Sequence, residues 1–155
     1  MNNQNDQQNS SLKFLEDYLE TIATKFSSQK TIEAIVWKMG RSFTPLDAPR
    51  PHGVYRGKSK ECYSNAYRLA DDIKYRYVEG FAISDIGILL PIQHAWVTDK
   101  KGNVIETTWP KSGFAYYGIP FGQTMLNKII SETGTFGVLD FTSKTFRKYY
   151  EENME

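Results

Sequence analysis

The sequence predicts an α+β protein in which one helix packs against an antiparallel sheet of about four strands. Three observations favour this class. One helix-like segment carries the single cysteine, strand-like segments follow it at hairpin spacing, and amphipathic helices flank them at both ends of the chain. The length of 155 residues fits one domain, which we expect to span residues 11–155.

The first part of the chain is predicted to be helical after a disordered start. Residues 1–10 are rich in asparagine and glutamine, and we expect them to be disordered. From Leu12 to Phe26 the apolar positions recur at gaps of three and four, which predicts an amphipathic helix. A second helix follows and is predicted to end at Gly40. Residues 41–58 contain three prolines and two glycines, which predicts a long loop.

The third predicted helix carries the cysteine. It is expected to begin near Ser59, a suitable N-cap, so that Cys62 lies in its first turn. Asp99 to Gly102 fit a type I turn with Gly102 in the left-handed conformation, which joins two strands in a hairpin. The predicted strands are residues 76–83, 88–99, 103–108 and 114–119. The last two predicted helices are residues 122–133 and 143–153.

Composition and charge narrow the class of protein. Lysine and arginine number 19 and the acids 18, so the net charge of +1 gives no argument for binding nucleic acid or an anionic membrane. A single cysteine cannot form an internal disulfide, which fits a reducing compartment. We find neither a signal-peptide pattern nor an apolar run of about 18 residues. We therefore expect a cytoplasmic protein with no membrane partner.

Cys62, His94 and Glu106 follow one another in an order that suits thiol chemistry. The thiolate is the nucleophilic form of cysteine, and both helix N-terminal amides and a nearby imidazolium stabilise it. Strand alternation places His94 and Trp96 on one face, and the turn at Gly102 sets Trp96 opposite Glu106. Glu106 then lies diagonal to His94 on the same face, where it is able to orient the ring.

These segments resemble the transglutaminase-like core of the papain-like cysteine hydrolase superfamily. In that core a cysteine begins a helix, as in CYSNAYRLA from Cys62, and a Val-x-Gly-aromatic strand follows, as in YVEGFAI at residues 77–83. His-Ala-Trp-Val then begins a strand, matched letter for letter at residues 94–97. The acid comes last, here Glu106 in ETTW where the family usually has aspartate. The resemblance covers residues 59–109 and extends to small uncharacterised bacterial and bacteriophage proteins.

The resemblance implies a papain-like or transglutaminase-like core and a Cys62-His94-Glu106 triad. It implies a hydrolase or acyltransferase that acts on a protein, a peptide or another amide-containing substrate. Peptidase, deamidase and transglutaminase-like activities all remain open. The alternative is a catalytically inactive protein of the same fold, such as a bacteriophage or bacterial interaction factor, whose docking surface would be residues 116–121.

Other residues complete the predicted site. Tyr55 and Gln93 are candidates for an oxyanion donor or a substrate contact, although Gln93 is expected to point away from His94. Trp96 and Trp109 are candidates for shielding the Cys-His pair from water, and aromatic residues in a hairpin are equally typical of the core. His52 is expected to be a solvated loop residue. Two histidines and one cysteine make a poor zinc set, so we expect no metal and no other cofactor.

Overall fold

The fold combines five helices with one antiparallel sheet. The computed structural model describes residues 3–86 and 88–154, and the elements counted here lie within them. The helices are α1 (Asn3–Lys25), α2 (Ile32–Met39), α3 (Cys62–Leu69), α4 (Gln123–Thr133) and α5 (Lys144–Met154). The strands are β1 (Arg41–Phe43), β2 (Arg76–Ile83), β3 (Ile92–Thr98), β4 (Val104–Ile105) and β5 (Ala115–Phe121).

The sheet is curled, and its two edges approach each other. Its strand order is β1-β5-β2-β3-β4, and every pairing between these strands is antiparallel. The chain that leaves β1 bends across to β4, where the Val104 amide donates to the Thr44 carbonyl at 2.9 Å. The Leu46 amide then donates to the Val104 carbonyl at 3.1 Å. These two bonds connect the first and last strands of the sheet.

The two faces of the sheet bury different sets of side chains. One face packs against the helices and forms the main core, which includes Leu15 and Leu19 from α1, Ala66 from α3 and Tyr77 and Phe81 from β2. The opposite face carries a second cluster made of strand residues. This strand cluster consists of Phe43, Val78, Ala82, Trp96, Val104 and Tyr116, with Trp109 packed against it. His94 shares the face of Trp96 because the two are separated by one residue in β3.

Two paired glycines allow the central strands to approach closely. Gly80 in β2 lies opposite both Gly118 in β5 and His94 in β3. A Cβ atom on Gly80 would lie 2.2 Å from the Tyr117 carbonyl oxygen, closer than any side chain tolerates. The missing side chain therefore lets the sheet curl at the position that faces His94.

The predicted fold class is confirmed at the level of helices on an antiparallel sheet, with several differences in detail. The sheet has five strands within the described residues because β1 forms at the start of the predicted loop. α3 begins at Cys62 and not near Ser59, since Lys60 adopts a left-handed φ of 65° that no helix contains. β4 ends at Ile105 because the Glu106 carboxylate accepts the amides of Thr108 and Trp109, which turns the chain.

The N-terminal segment also differs from the prediction. α1 begins at Asn3, so the polar residues 3–10 are helical and extend the amphipathic helix that follows, while Met1 and Asn2 lie outside the described residues. Asparagine and glutamine are tolerated in an exposed helix that a packed segment has already nucleated. Among the described helices, none has the length and apolar character needed to cross a membrane.

We expect Gly80→Ala to destabilise the fold. The added methyl group meets backbone atoms of β5 that cannot rotate away, and such overpacking costs about 1–3 kcal/mol. Gly122→Ala is the matched control, because its Cβ would meet only the Asp72 carboxylate at 3.7 Å. Urea unfolding followed by tryptophan fluorescence measures both variants. Equal losses of unfolding free energy in the two variants would contradict the close-approach argument.

Candidate active site

Cys62 begins α3 at a helix end that has no side-chain cap. Its side chain is partly exposed, and the N-cap residue Glu61 makes no capping hydrogen bond. Within the described residues, the amides of Cys62, Tyr63 and Ser64 donate no hydrogen bond. Unpaired amides at a helix N-terminus stabilise a negative charge that lies close to them. The thiol therefore lies beside donors that are available to an anion.

The turn that leads into Cys62 is held from within α3. The Asn65 side-chain amide donates to the Lys58 carbonyl at 2.8 Å and to the Thr108 hydroxyl at 2.9 Å. Gly57 allows this contact, since a Cβ atom there would lie 2.1 Å from the Asn65 amide oxygen. Asn65 thus ties the cysteine helix to the segment that carries Glu106. A polar residue on the buried side of an amphipathic helix, three positions after the cysteine, is the sequence signal that would have identified it.

His94 is held between Glu106 and Cys62. Its Nε2 lies 2.9 Å from Glu106 Oε1, and both side chains are almost fully buried. Since Nε2 is engaged by the carboxylate, Nδ1 is the ring nitrogen left for the thiol. Cys62 is brought to the imidazole because α3 packs against β3, the strand that carries His94. β3 also pairs with β4 through Val97 and Thr98.

The environment of His94 favours its charged form. Burial alone lowers the pKa of the ring, but hydrogen bonds with Cys62 and Glu106 outweigh it and raise the pKa from 6.5 to about 9. Trp109 stacks on the imidazole with ring centroids 3.9 Å apart and an interplanar angle of 9°. A tryptophan face stabilises a cation that lies against it. Both the raised pKa and the stacked tryptophan therefore favour the imidazolium over the neutral ring.

Glu106 accepts four hydrogen bonds in a buried position. Oε1 faces His94 and also accepts the Tyr116 hydroxyl at 2.8 Å. Oε2 accepts the backbone amides of Thr108 at 2.8 Å and Trp109 at 3.0 Å. Burial raises the pKa of this carboxyl, but the interactions with His94 and the two amides outweigh it and lower the pKa overall. Glu106 is thus a carboxylate that is fixed in place by its donors.

Arg50 and Tyr116 complete the support of this carboxylate, and sequence reasoning missed both. Arg50 Nε donates to the Glu106 carbonyl at 2.7 Å, and its terminal nitrogen donates to the Trp109 carbonyl at 2.6 Å. The Gly113 amide donates to the Tyr116 hydroxyl at 2.6 Å, which directs the hydroxyl hydrogen toward Glu106. Arg50 lies 56 positions from Glu106, and Tyr116 reaches it from a strand that does not pair with β4, so no pattern in the sequence indicates either contact.

The other residues of the predicted site differ in burial and in their distance from His94. Trp109 covers His94, whereas Trp96 is fully buried in the strand cluster, 6.3 Å from the imidazole centroid, where no substrate reaches it. Tyr55 is 82% exposed, and its role as an oxyanion donor or a substrate contact stays a prediction. His52 is exposed, as expected.

Residues 116–121 are not a docking surface, because β5 is a central strand. It pairs with β1 on one side and β2 on the other, and five of its last six residues are buried. The prediction failed because an aromatic, proline-containing segment resembled an exposed loop. Tyr116 instead serves as a donor to Glu106.

A depression of about 300 Å³ lies on the helix side of the sheet, and it is lined by neighbours of the site residues but not by Cys62, His94 or Glu106. Tyr63, next to Cys62, and Gln93, next to His94, both line it together with Phe136. Glu79 forms part of its floor and accepts the backbone amides of Val138 and Leu139, which fixes the chain between α4 and α5. Gln93 points away from His94, as alternation predicts, and lies in the wall of this depression.

Glu106 and His94 make the stability of the fold depend on pH. A histidine whose pKa is raised in the folded state contributes stability that is fully present below pH 6.5 and is lost as the pH rises through about 9. Since one pKa unit corresponds to about 1.4 kcal/mol, we expect a loss of a few kcal/mol at most. Urea unfolding across this interval measures it. Glu106→Gln should flatten the profile, and an equally steep profile in that variant would contradict the assignment.

Tyr116→Phe should destabilise the protein more than a tyrosine substitution elsewhere. The change leaves the buried Gly113 amide without its acceptor and removes one donor from Glu106, a combination that costs about 1–3 kcal/mol. Tyr67→Phe is the control, because its hydroxyl bonds Asn127 on the surface and its loss should fall within about 0.5 kcal/mol. Thermal unfolding compares them. Similar shifts in Tm would show that the Tyr116 hydroxyl is not a support of the acid.

Neither a metal site nor a related protein indicates the function of this chain. Among the described residues, no group of three or more histidine, cysteine, aspartate or glutamate side chains is arranged to hold a metal ion. Comparisons of the chain with known protein families, with characterised proteins and with solved structures found no match.

Proposed function

We propose that this protein is a cysteine-dependent hydrolase or acyltransferase with a transglutaminase-like, papain-like core, acting on an amide or related acyl group. The observation that carries the proposal is the buried hydrogen bond between His94 and Glu106, in a place where Cys62 contributes to the raised pKa of the His94 ring. The carboxylate accepts four hydrogen bonds, the raised pKa favours the charged imidazole, and the thiol is partly exposed at a helix start. The structural role of Glu106 at the end of β4 accounts for its amide donors and does not require a cysteine beside the histidine.

In the proposed reaction the Cys62 sulfur attacks the carbonyl carbon of the substrate. His94 takes the thiol proton and delivers it to the leaving amine as the carbon–nitrogen bond breaks. Water or a second amine then attacks the thioester carbon and loses a proton to His94. The carbon–sulfur bond breaks, the acyl product leaves, and Cys62 and His94 return to their starting protonation state. Glu106 keeps the ring oriented and compensates its charge throughout.

The free amides at the start of α3 suit the oxyanion that forms in each step. The amide of Cys62 belongs to the same residue as the thiol and donates no hydrogen bond within the described residues, so it is available to the tetrahedral oxygen. The depression with Tyr63 and Gln93 is the concave surface available to the substrate side chain. Its lining combines aromatic side chains, Phe136 and Phe141, with the Gln93 amide, which suits an extended peptide or a similar amide-containing chain.

The first test is the reactivity of the thiol. Cys62 is the single cysteine, so the intact mass after treatment with iodoacetamide reports on it alone. We expect His94→Gln to slow alkylation at neutral pH by about tenfold or more, because the imidazolium that stabilises the thiolate is lost. His52→Gln is the matched control, since it removes the other histidine from an exposed loop. Equal rates in both variants would contradict a functional Cys-His pair.

A second test measures acyl transfer directly with the activated ester p-nitrophenyl acetate. The wild-type protein should release a burst of nitrophenolate that corresponds to about one acetyl group per chain. Cys62→Ala should abolish the burst and leave the thermal unfolding temperature nearly unchanged, since the side chain is small and partly exposed. If the acetylated protein carries its label on a lysine and not on Cys62, the proposed mechanism fails.

A further inference from the structure

A second concave surface lies at the other end of the sheet from the cysteine site. It encloses about 480 Å³ between β1, the segment that enters β2 and the turn that joins β3 to β4. Cys62, His94 and Glu106 do not line it. We call it the basic groove, because five cationic side chains line it: Arg41, Lys74, Arg76, Lys100 and Lys101.

The positive charge of the basic groove is not neutralised within the protein. Within residues 3–86 and 88–154, none of the five cations forms an ion pair. Two carboxylates, Asp72 and Asp99, also line the groove, so five cations face two anions and the formal charge of the lining is +3. Asp99 accepts the backbone amides of Lys101 and Asn103, and Asp72 accepts the backbone amide of Gln123. A chain with a net charge of only +1 therefore concentrates unpaired cations in one depression.

One of these cations is held in position by packing. The guanidinium carbon of Arg41 lies 4.0 Å from the centroid of the Phe43 ring, which is a close cation–π contact. The same guanidinium group lies near Gly102 in the turn that carries Lys100 and Lys101. An arginine that is ordered in this way loses less conformational entropy when it binds an anion.

We propose that the basic groove binds a small ligand that carries two or more phosphate groups. Arginine and lysine are the side chains that recognise phosphate, and several of them facing one volume suit a multiply charged anion. The volume of the groove falls within the range of small-ligand sites. The aromatic residues that line it, Phe43 and Tyr75, are buried, so the groove lacks the exposed rings on which single-stranded nucleic acid stacks.

The test uses inorganic tripolyphosphate as the probe and isothermal titration calorimetry as the measurement. We expect binding to the wild-type protein at low salt that weakens as the salt concentration rises. The double variant Arg76→Gln/Lys101→Gln should bind with an affinity about tenfold lower. Lys128→Gln/Lys144→Gln removes the same charge from exposed positions outside the groove and should leave the affinity within about twofold of wild type.

Three results would overturn the proposal. These are absence of binding at millimolar tripolyphosphate, equal affinities in the two double variants, and tighter binding of a single-stranded oligothymidylate than of tripolyphosphate, which would indicate a nucleic-acid surface. The NMR chemical shifts of the backbone amides provide a measurement that needs no variant. Tripolyphosphate should change the chemical shifts of residues 98–103, and changes confined to other regions would contradict the site.

Discussion

The buried carboxylate of Glu106 is the group on which the geometry of the site depends. An ionised carboxylate loses several kcal/mol of solvation when it is buried, and only close donors offset that cost. Here the donors come from the histidine, from a tyrosine in β5 and from two amides of the chain that follows β4. Because these donors come from different elements, the acid holds strand, turn and sheet in one arrangement.

The same carboxylate explains why β4 is short. By accepting the amides two and three residues further on, Glu106 ends the strand pairing and turns the chain back toward the cysteine helix. Thr107 and Thr108 then accept hydrogen bonds from Gly57 and Asn65. The segments that carry the acid and the thiol are therefore positioned by one local turn and not by a continued hairpin.

The sequence predicted the contact between His94 and Glu106 because that contact depends on short-range rules. The turn at Gly102 sets the register in which Val97 pairs with Ile105, and Glu106 follows directly after this last pair, within hydrogen-bond distance of His94. The extent of β4 was wrong because side-chain bonds to the backbone compete with strand pairing. The contact of Arg50 was not predicted because it crosses 56 positions of the chain, and that of Tyr116 was not predicted because β5 pairs with β1 and β2 and not with β4.

The N-terminal turn of α3 shows how the candidate site departs from local preference, and charge balance links that turn to the buried pair. Lys60 adopts a left-handed backbone conformation, which costs a residue with a Cβ atom about 1 kcal/mol or more, and the helix that follows has no side-chain cap. With His94 protonated and Glu106 ionised, the pair is neutral overall. A thiolate at Cys62 adds one negative charge, and the groups available to compensate it are the imidazolium and the free amides of α3. The strained, uncapped turn is therefore unfavourable for the helix alone and favourable for an anion at the thiol, which is the arrangement that a nucleophilic cysteine requires.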